Sequence, residues 1–297
     1  MTLPFIAVDW GTTSFRAYRV SSDGSVDGER TSADGILAVA DGNFEQALER
    51  HLQGWDTALP VFAAGMITSR QGWVEVPYVE CPAGVRDMAA AVVSRVLASG
   101  RTVYFSTGLH MAGGSLGHDV MRSEETQVFG SLHAGATQYV TPGTHSKWID
   151  VQDGRIVRFS TYVTGESFAL YRHHSILGRL MAGDADDEQA FARGVDMAFG
   201  DAAGLLSSLF SVRSLGLYGE LGPEALSSYL SGLLIGTEVA HAIAQRKRDG
   251  LWLVLASPAI AGRYLRALHM AGLKAEMGDP LAMVAGQRLI AQAAGII

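Results

Sequence analysis

The sequence predicts an α/β protein of two similar lobes, and three observations carry that prediction. Residues 5–106 order as strand, strand, strand, helix, strand, helix, strand. The same opening returns 132 residues on: an apolar strand, a Gly-Thr turn at Gly143 as at Gly11, a second strand, an Asp-Gly turn, a third strand. At 297 residues the chain is near the size at which one core stops growing, and 48% hydrophobic against 18% charged residues is material for two. We expect lobes of residues 1–134 and 135–297.

Taken in order, strands are expected at 5–9, 14–20 and 27–32, with Ser22-Asp23-Gly24 as turn chemistry between the last two. Residues 43–54 read as a helix: Asn43 at the N-cap, Phe44, Leu48 and Leu52 on one face, Gly54 as the stop. A buried strand follows at 60–64, a helix at 85–98 and a strand at 101–106. Four glycines and no periodicity make 108–117 a loop or a boundary. A helix at 124–134 leads to strands at 138–141, 147–151 and 156–163, joined by Pro142-Gly143-Thr144-His145 and Asp153-Gly154. Helices follow at 187–200, 201–210, 223–247 and 261–272, with strands at 215–218 and 251–256. A last helix begins after Asp279-Pro280, and its Ala282, Ala285 and Gly286 suit close packing in a core.

Composition narrows the function classes. A net charge of −7 and no basic run longer than Arg246-Lys247-Arg248, which reads as a helix end, leave nucleic acid an unexpected partner. One cysteine, Cys81, allows no intrachain disulfide, and the first residues enter a strand without a leader pattern, so a cytoplasmic location is expected. The longest apolar stretches, such as 251–256, fall far short of the ~20 residues of a spanning helix, so no membrane partner is expected. A homodimer is left open. The nine histidines lack metal-ligand spacing, and no Gly-x-Ser-x-Gly elbow is present.

The most informative stretch is Ile6 to Val20. Asp9 ends an apolar run, Gly11 frees the backbone to approach a ligand, and the hydroxyls and N–H groups of Thr12, Thr13 and Ser14 can face phosphoryl oxygens, with Arg16 as a nearby positive charge. Asp9 is a hard oxygen ligand suited to Mg2+, held through water because that ion gives up its shell reluctantly. An ordinary β-turn can carry the same letters. The echo at Thr141 to His145 favours a pair of phosphate turns.

Asp9-Trp10-Gly11-Thr12-Thr13-Ser14-Phe15-Arg16 resembles the first phosphate motif of carbohydrate kinases in the actin and hexokinase superfamily, and Thr141-Pro142-Gly143-Thr144-His145 stands where the second belongs. More narrowly, the chain resembles the 2-dehydro-3-deoxygalactonokinases. The motifs are Ala7 to Thr13, Ala64-Gly65-Met66 with Gly72-Trp73, Val120 to Gln127, Pro142 to Trp148, Val163 to Glu166, and Leu230 to Gly236, in the family's order. The resemblance implies the two-lobed actin-like ATPase (ribonuclease H-like) fold, with duplicated βββαβαβα lobes and a cleft between them. It also implies ATP and Mg2+ as cofactors, and a sugar-acid substrate, 2-dehydro-3-deoxy-D-galactonate, phosphorylated at O6.

The resemblance also implies roles. Thr12, Thr13 and Ser14 would hold the transferred phosphoryl; Gly143 and Thr144 would hold phosphates from the other lobe. His145 and Lys147 share a strand face and could add charge, Lys147 being otherwise a solvated strand lysine. A general base is sought among Asp119, Glu124 and Glu125; Ser123 with two acids after it also reads as a plain helix start, and the resemblance favours Glu124. For the acceptor carboxylate, Arg122 is the first choice and Arg70 the second. Met66, Ser69 and Trp73 would line the acceptor pocket, Met66 having core packing as its ordinary reading, and Glu166 would meet a substrate hydroxyl. The adenosine loop departs from the superfamily's Gly-Gly or Gly-Thr: Leu253 to Ala256 runs into Ser257-Pro258, and proline removes a donor there. The alternatives are a same-fold kinase for another sugar or sugar acid, and a non-catalytic actin-like nucleotide sensor.

Overall fold

The computed structural model describes residues 3–114, 117–132, 136–183, 185–201 and 204–297. Strands β1 (Phe5–Trp10), β2 (Phe15–Val20) and β3 (Val26–Ser32) form the expected meander, followed by α1 (Phe44–His51) and β4 (Val61–Ala64). Next come β5 (Val79–Glu80), α2 (Val85–Ala90), β6 (Val93–Val96), β7 (Thr102–Phe105), β8 (Leu109–Gly114), β9 (Gly117–Met121) and α3 (Glu124–Gly130). The chain continues with β10 (Ala136–Thr141), β11 (Ser146–Gln152), β12 (Arg155–Tyr162), α4 (Thr164–His174), α5 (Glu188–Gly200), α6 (Leu205–Ser208) and α7 (Phe210–Leu217). It ends with α8 (Leu226–Ala244), β13 (Leu251–Val254), α9 (Pro258–Met270), β14 (Lys274–Met277) and α10 (Ala282–Ala293).

The duplication read from the turns is present in the sheets. One sheet runs β3-β2-β1-β4-β7-β6 and another β12-β11-β10-β13-β14, so five strands of each follow the same order. In the first, β1 pairs antiparallel with β2 and parallel with β4. In the second, β10 and β13 pair in parallel, as do β13 and β14. This is the two-lobed, ribonuclease H-like architecture of the actin-like ATPases. Asp153 (φ 50°) and Gly154 (φ 72°) make the left-handed turn that a two-residue hairpin demands.

Contacts group the chain into unit 1 (Met1–His133, Asp150–Phe159, Asp279–Ile297) and unit 2 (Ala134–Ile149, Ser160–Gly278). The hairpin end at 150–159 and the C-terminal helix both group with unit 1. Unit 1 packs Ile6, Val8, Trp10 and Phe15 against Phe44, Leu48 and Phe105. Unit 2 buries Val140, Trp148 and Trp252 with Phe191 and Tyr264. Among the described residues, no helix is long and apolar enough to cross a membrane.

Several local expectations are corrected. The helix expected over 85–98 stops at Ala90, and β-branched Val93 and Val96 instead form β6 beside β7. The glycine-rich 108–117 is not a bare loop: Leu109 to Met111 pairs with Asp119 to Met121, and Gly108 sits so close that a Cβ would lie 2.3 Å from the Met121 carbonyl oxygen. Residues 215–218 belong to the end of α7 rather than to a strand. Helix α4 went unread because it has no buried stripe: none of its residues is buried. The expected helices over 124–134 and 201–210 are shorter, α3 and α6, and residues 133, 134, 202 and 203 lie outside the described residues.

Candidate active site

In unit 1 the turn between β1 and β2 is held from one side. Gly11 N–H donates to the Ser14 carbonyl (2.9 Å), while Ile36 and Leu37 donate to the carbonyls of Gly11 (3.0 Å) and Thr12 (3.3 Å). Gly35 allows this approach, since a Cβ there would lie 2.2 Å from the Thr12 oxygen. The carbonyls are thus satisfied by protein, and Thr12 and Thr13 are left exposed.

Asp9 lies directly opposite Arg16 in the β1–β2 register. Arg16 Nη2 stands 3.1 Å from Asp9 Oδ2, and Ser123 Oγ donates to Oδ1 at 3.0 Å. Gly65 (φ 97°) closes the end of β4 against this carboxylate; a Cβ there would sit 3.1 Å from Oδ1 and 2.8 Å from the Trp10 oxygen. Ser123 makes no side-chain cap for α3 and adopts φ 96°, so its reading as a plain N-cap is corrected.

Two acids open α3. Glu124 Oε2 accepts the Arg122 N–H (2.9 Å), and both oxygens of Glu125 accept the Ser123 N–H (3.0 and 2.9 Å). Glu125 is fully buried, and burial, then the neighbouring Glu124 charge, push its carboxyl up to about 8. It has no surface to offer a substrate hydroxyl, which removes it from the base candidates. Glu124 is half-buried, and Asp119 Oδ1, on β9, accepts the Val120 N–H (2.8 Å).

The acceptor-side expectations divide. Arg122, first choice for a carboxylate, is buried: Nη1 donates to the Thr68 carbonyl (2.7 Å) and hydroxyl (2.6 Å), Nη2 to the Val76 carbonyl (3.1 Å), and the guanidinium lies over the Tyr78 ring. It pins the 68–76 segment instead of facing a ligand. Arg70 is exposed and pairs with Glu75 (3.3 Å). Ser69 Oγ is spent on the Met66 carbonyl (2.7 Å). Met66 and Trp73 pack on the edge of the unit 1 core, Trp73 edge-on to Phe105.

In unit 2 the second turn, between β10 and β11, is braced by the start of α4. Gly165 packs under it, where a Cβ would be 2.3 Å from the Gly143 oxygen, and Glu166 N–H donates to the Thr144 carbonyl (3.0 Å). His145 Nε2 meets Glu166 Oε2 at 2.6 Å, so Glu166 belongs to this turn and is not a free partner for a substrate hydroxyl. Gly143 faces open space, with nothing within 4 Å of where its Cβ would be. Lys147 is buried and donates to Thr161 Oγ1 (2.9 Å), which corrects its reading as a solvated lysine or a charge beside His145. Ser257 is exposed at the N-cap of α9, with Pro258 at the first helical position.

Behind the turn lies a polar group that sequence reading missed. Glu238 of α8 is fully buried and accepts from Trp148 Nε1 (2.6 Å), Tyr264 OH (2.7 Å) and, weakly, Ser146 Oγ (3.4 Å). Burial pushes its carboxyl up to about 7 despite those donors. Tyr264 also lines a cavity of about 260 Å³ with Gly143, Thr164, Gly165, Ser231 and Arg263, beside apolar walls that include Leu234 and Ile235. The 230–236 and 163–166 motifs thus meet at one cavity, which was the available signal.

The donor set at Asp9 fits Mg2+ held mainly by water and phosphate: one carboxylate oriented at both oxygens beside a turn of hydroxyls. Among the described residues no three His, Cys, Asp or Glu side chains are grouped to hold a metal ion.

Known proteins resemble this chain over nearly its whole length. The family model described as 2-keto-3-deoxy-galactonokinase matches residues 9–290. A probable 2-dehydro-3-deoxygalactonokinase of Rhizobium meliloti (strain 1021) is 37% identical over 93% of this chain and 92% of its own. The 2-dehydro-3-deoxygalactonokinase of Escherichia coli (strain K12) is 33% identical over 99% of both chains. The crystal structure of a protein from Sinorhizobium meliloti, described as a putative 2-dehydro-3-deoxygalactonokinase, superposes with a TM-score of 0.88 at 35% identity, covering 98% of each chain. A match that takes in the Asp9 junction, the acid-led helix and both turns, at near full length, places this chain in the 2-keto-3-deoxy-galactonokinase family.

Proposed function

We propose that this protein transfers the γ-phosphoryl group of ATP to O6 of 2-dehydro-3-deoxy-D-galactonate. Family membership supports the reaction, and one structural observation carries it: Asp9, beside the exposed hydroxyl turn, is hydrogen-bonded to the residue that precedes Glu124. Phosphoryl transfer needs positioning and charge neutralisation more than covalent help. Thr12, Thr13 and Ser14 hold the transferred group and Arg16 orients Asp9. Asp9 would hold Mg2+ through water, and the ion would supply neutralisation of phosphate charge.

Glu124 is the acid at the start of α3 that is only half-buried, and it takes the proton of the attacking hydroxyl. Unit 1 supplies these groups and the acceptor side, where Arg70 is the arginine left for the substrate carboxylate. Unit 2 supplies the nucleotide side: Gly143 and Thr144 for the phosphates, and the cavity between α4, α8 and α9 for the nucleoside. We place the enzyme in the cytoplasm, where ATP is supplied. A second copy is not needed to complete the groups named.

The test is mass spectrometry of products formed from ATP and a panel of 2-keto-3-deoxy acids. A gain of one phosphoryl group on the galactonate acid, lost when Mg2+ is chelated, is the expected result. Turnover of another acid with none of this one overturns the substrate assignment.

A further inference from the structure

We propose that Ser123 is a positioning residue of the transfer site: its hydroxyl orients Asp9 while its left-handed backbone sets Glu124 at the start of α3. The inference rests on the phosphoryl-transfer reading above.

Among the described residues, three that are not glycine have positive φ: Asp41, Ser123 and Asp153. The two aspartates sit at exposed turns, where their side chains tolerate that conformation. Ser123 has neither excuse, and at φ 96°, ψ −34° it is held from several sides. Its N–H donates to both Glu125 oxygens, and its carbonyl accepts from Thr126 N (3.1 Å) and Thr126 Oγ1 (2.6 Å). The preceding residue is fixed by the buried Arg122 guanidinium. Strain that persists because its surroundings over-determine it points to a task.

The task follows from where the oxygen goes. A serine hydroxyl has one proton to donate, and here it goes to Asp9 Oδ1 at 3.0 Å, opposite Arg16 at Oδ2. Both carboxylate oxygens are thereby oriented, each keeping lone pairs for the water of a hydrated cation. The next residue is Glu124, so one strained residue couples the metal-side acid to the base. In ordinary helical entry the Ser123 side chain would turn to cap α3, and Asp9 would lose this partner.

Three variants separate the hydroxyl from the backbone. Ser123→Gly relaxes the conformation and removes the donor; Ser123→Ala removes the donor and keeps the strain; Ser123→Asn tolerates the conformation and offers an amide donor. Each is measured for Tm, for kcat and its Mg2+ dependence, and for Mn2+ affinity by electron paramagnetic resonance with a non-hydrolysable ATP analogue. For Ser123→Gly we expect a Tm equal to or above that of the unaltered protein. Its Mn2+ affinity and kcat should fall about 10–100-fold, as when partners that orient a metal ligand are lost, with acceptor KM little changed. Ser123→Asn should recover part of both, and Ser123→Ala should lose Tm as well. Undiminished kcat and Mn2+ affinity in Ser123→Gly overturns the proposal. Weakened Mn2+ binding in that variant, together with no phosphorylation of any acid by the unaltered protein, sustains the positioning role and overturns the kinase reading. Absence of Mn2+ binding by the unaltered protein overturns the positioning role too.

Discussion

Replacing Gly286 by alanine puts the packing beneath the acid-bearing helix under direct test. Helices α3 and α10 cross where Gly286 faces Gly130: a Cβ on Gly286 would lie 1.8 Å from the Thr126 carbonyl oxygen, and one on Gly130 would lie 1.8 Å from that of Ala282. Non-bonded heavy atoms settle near 3.5 Å, so the helices must part by roughly 1.5 Å. The obstacle is backbone on both sides and cannot rotate away. Overpacking of this kind costs about 1–3 kcal/mol, and the upper end applies to so rigid a contact. Parting also stretches the bond from buried Gln287 Nε2 to the Val8 carbonyl (2.9 Å), worth about 1 kcal/mol, while alanine returns about 1 kcal/mol of helix propensity. The net loss is about 2–3 kcal/mol, a fall of several degrees in Tm by calorimetry. Because α3 begins at Glu124, kcat should drop with it. Gly262→Ala in α9 is the matched control: a Cβ there meets nothing within 4 Å, so it should raise Tm. A Gly286→Ala protein as stable and active as the unaltered one would refute the close-crossing argument.

Glu124→Gln should keep ATP binding, read by calorimetric titration, while turnover falls on the order of the 10²–10⁴-fold that general-base catalysis contributes; unchanged turnover assigns the base elsewhere. Arg122→Met should destabilise by about 1–3 kcal/mol, since the Val76 carbonyl loses its donor while the Thr68 carbonyl keeps only the Val76 N–H; intact stability with a raised acceptor KM would return Arg122 to the substrate. Stability should also decline with rising pH. Glu125 and Glu238 have folded-state values above the usual 4.5, so the native protein holds protons that the unfolded chain releases. Their contribution is complete below about 4.5 and lost as pH rises through about 8 for Glu125 and about 7 for Glu238. The slope is at most about 1.4 kcal/mol per pH unit per proton, and Glu125→Gln should flatten its alkaline part in urea melts followed from pH 5 to pH 9.

Much of the fold was legible because it is written locally. The Asp9 to Arg16 hairpin, the Asp153-Gly154 turn and the helix at α1 follow from strand alternation, turn residues and a helical stripe, each a property of neighbours in sequence. Where those cues conflict the reading slipped. Ala89 to Ala91 favours helix and Val92 to Val96 favours strand, and the partner strand β7 decided between them. The β8–β9 hairpin was hidden by glycines that serve a close backbone approach at Gly108.

The sequence by itself determined the duplicated order and the two glycine turns, and it named the candidate residues, since turn chemistry and patterning act over a few residues. Tertiary structure decided which of those residues are available. Arg122 and Lys147 carry charges that look free in sequence, yet each is buried on a partner brought from elsewhere in the chain. Glu124 and Glu125 are adjacent and alike, and packing buries one completely while leaving the other half-buried. Glu238 reaches the second turn from a helix whose sequence reads as core. Burial and hydrogen-bond partners are set by contacts distant in sequence, and they separate a residue that can do chemistry from one that holds the site in place.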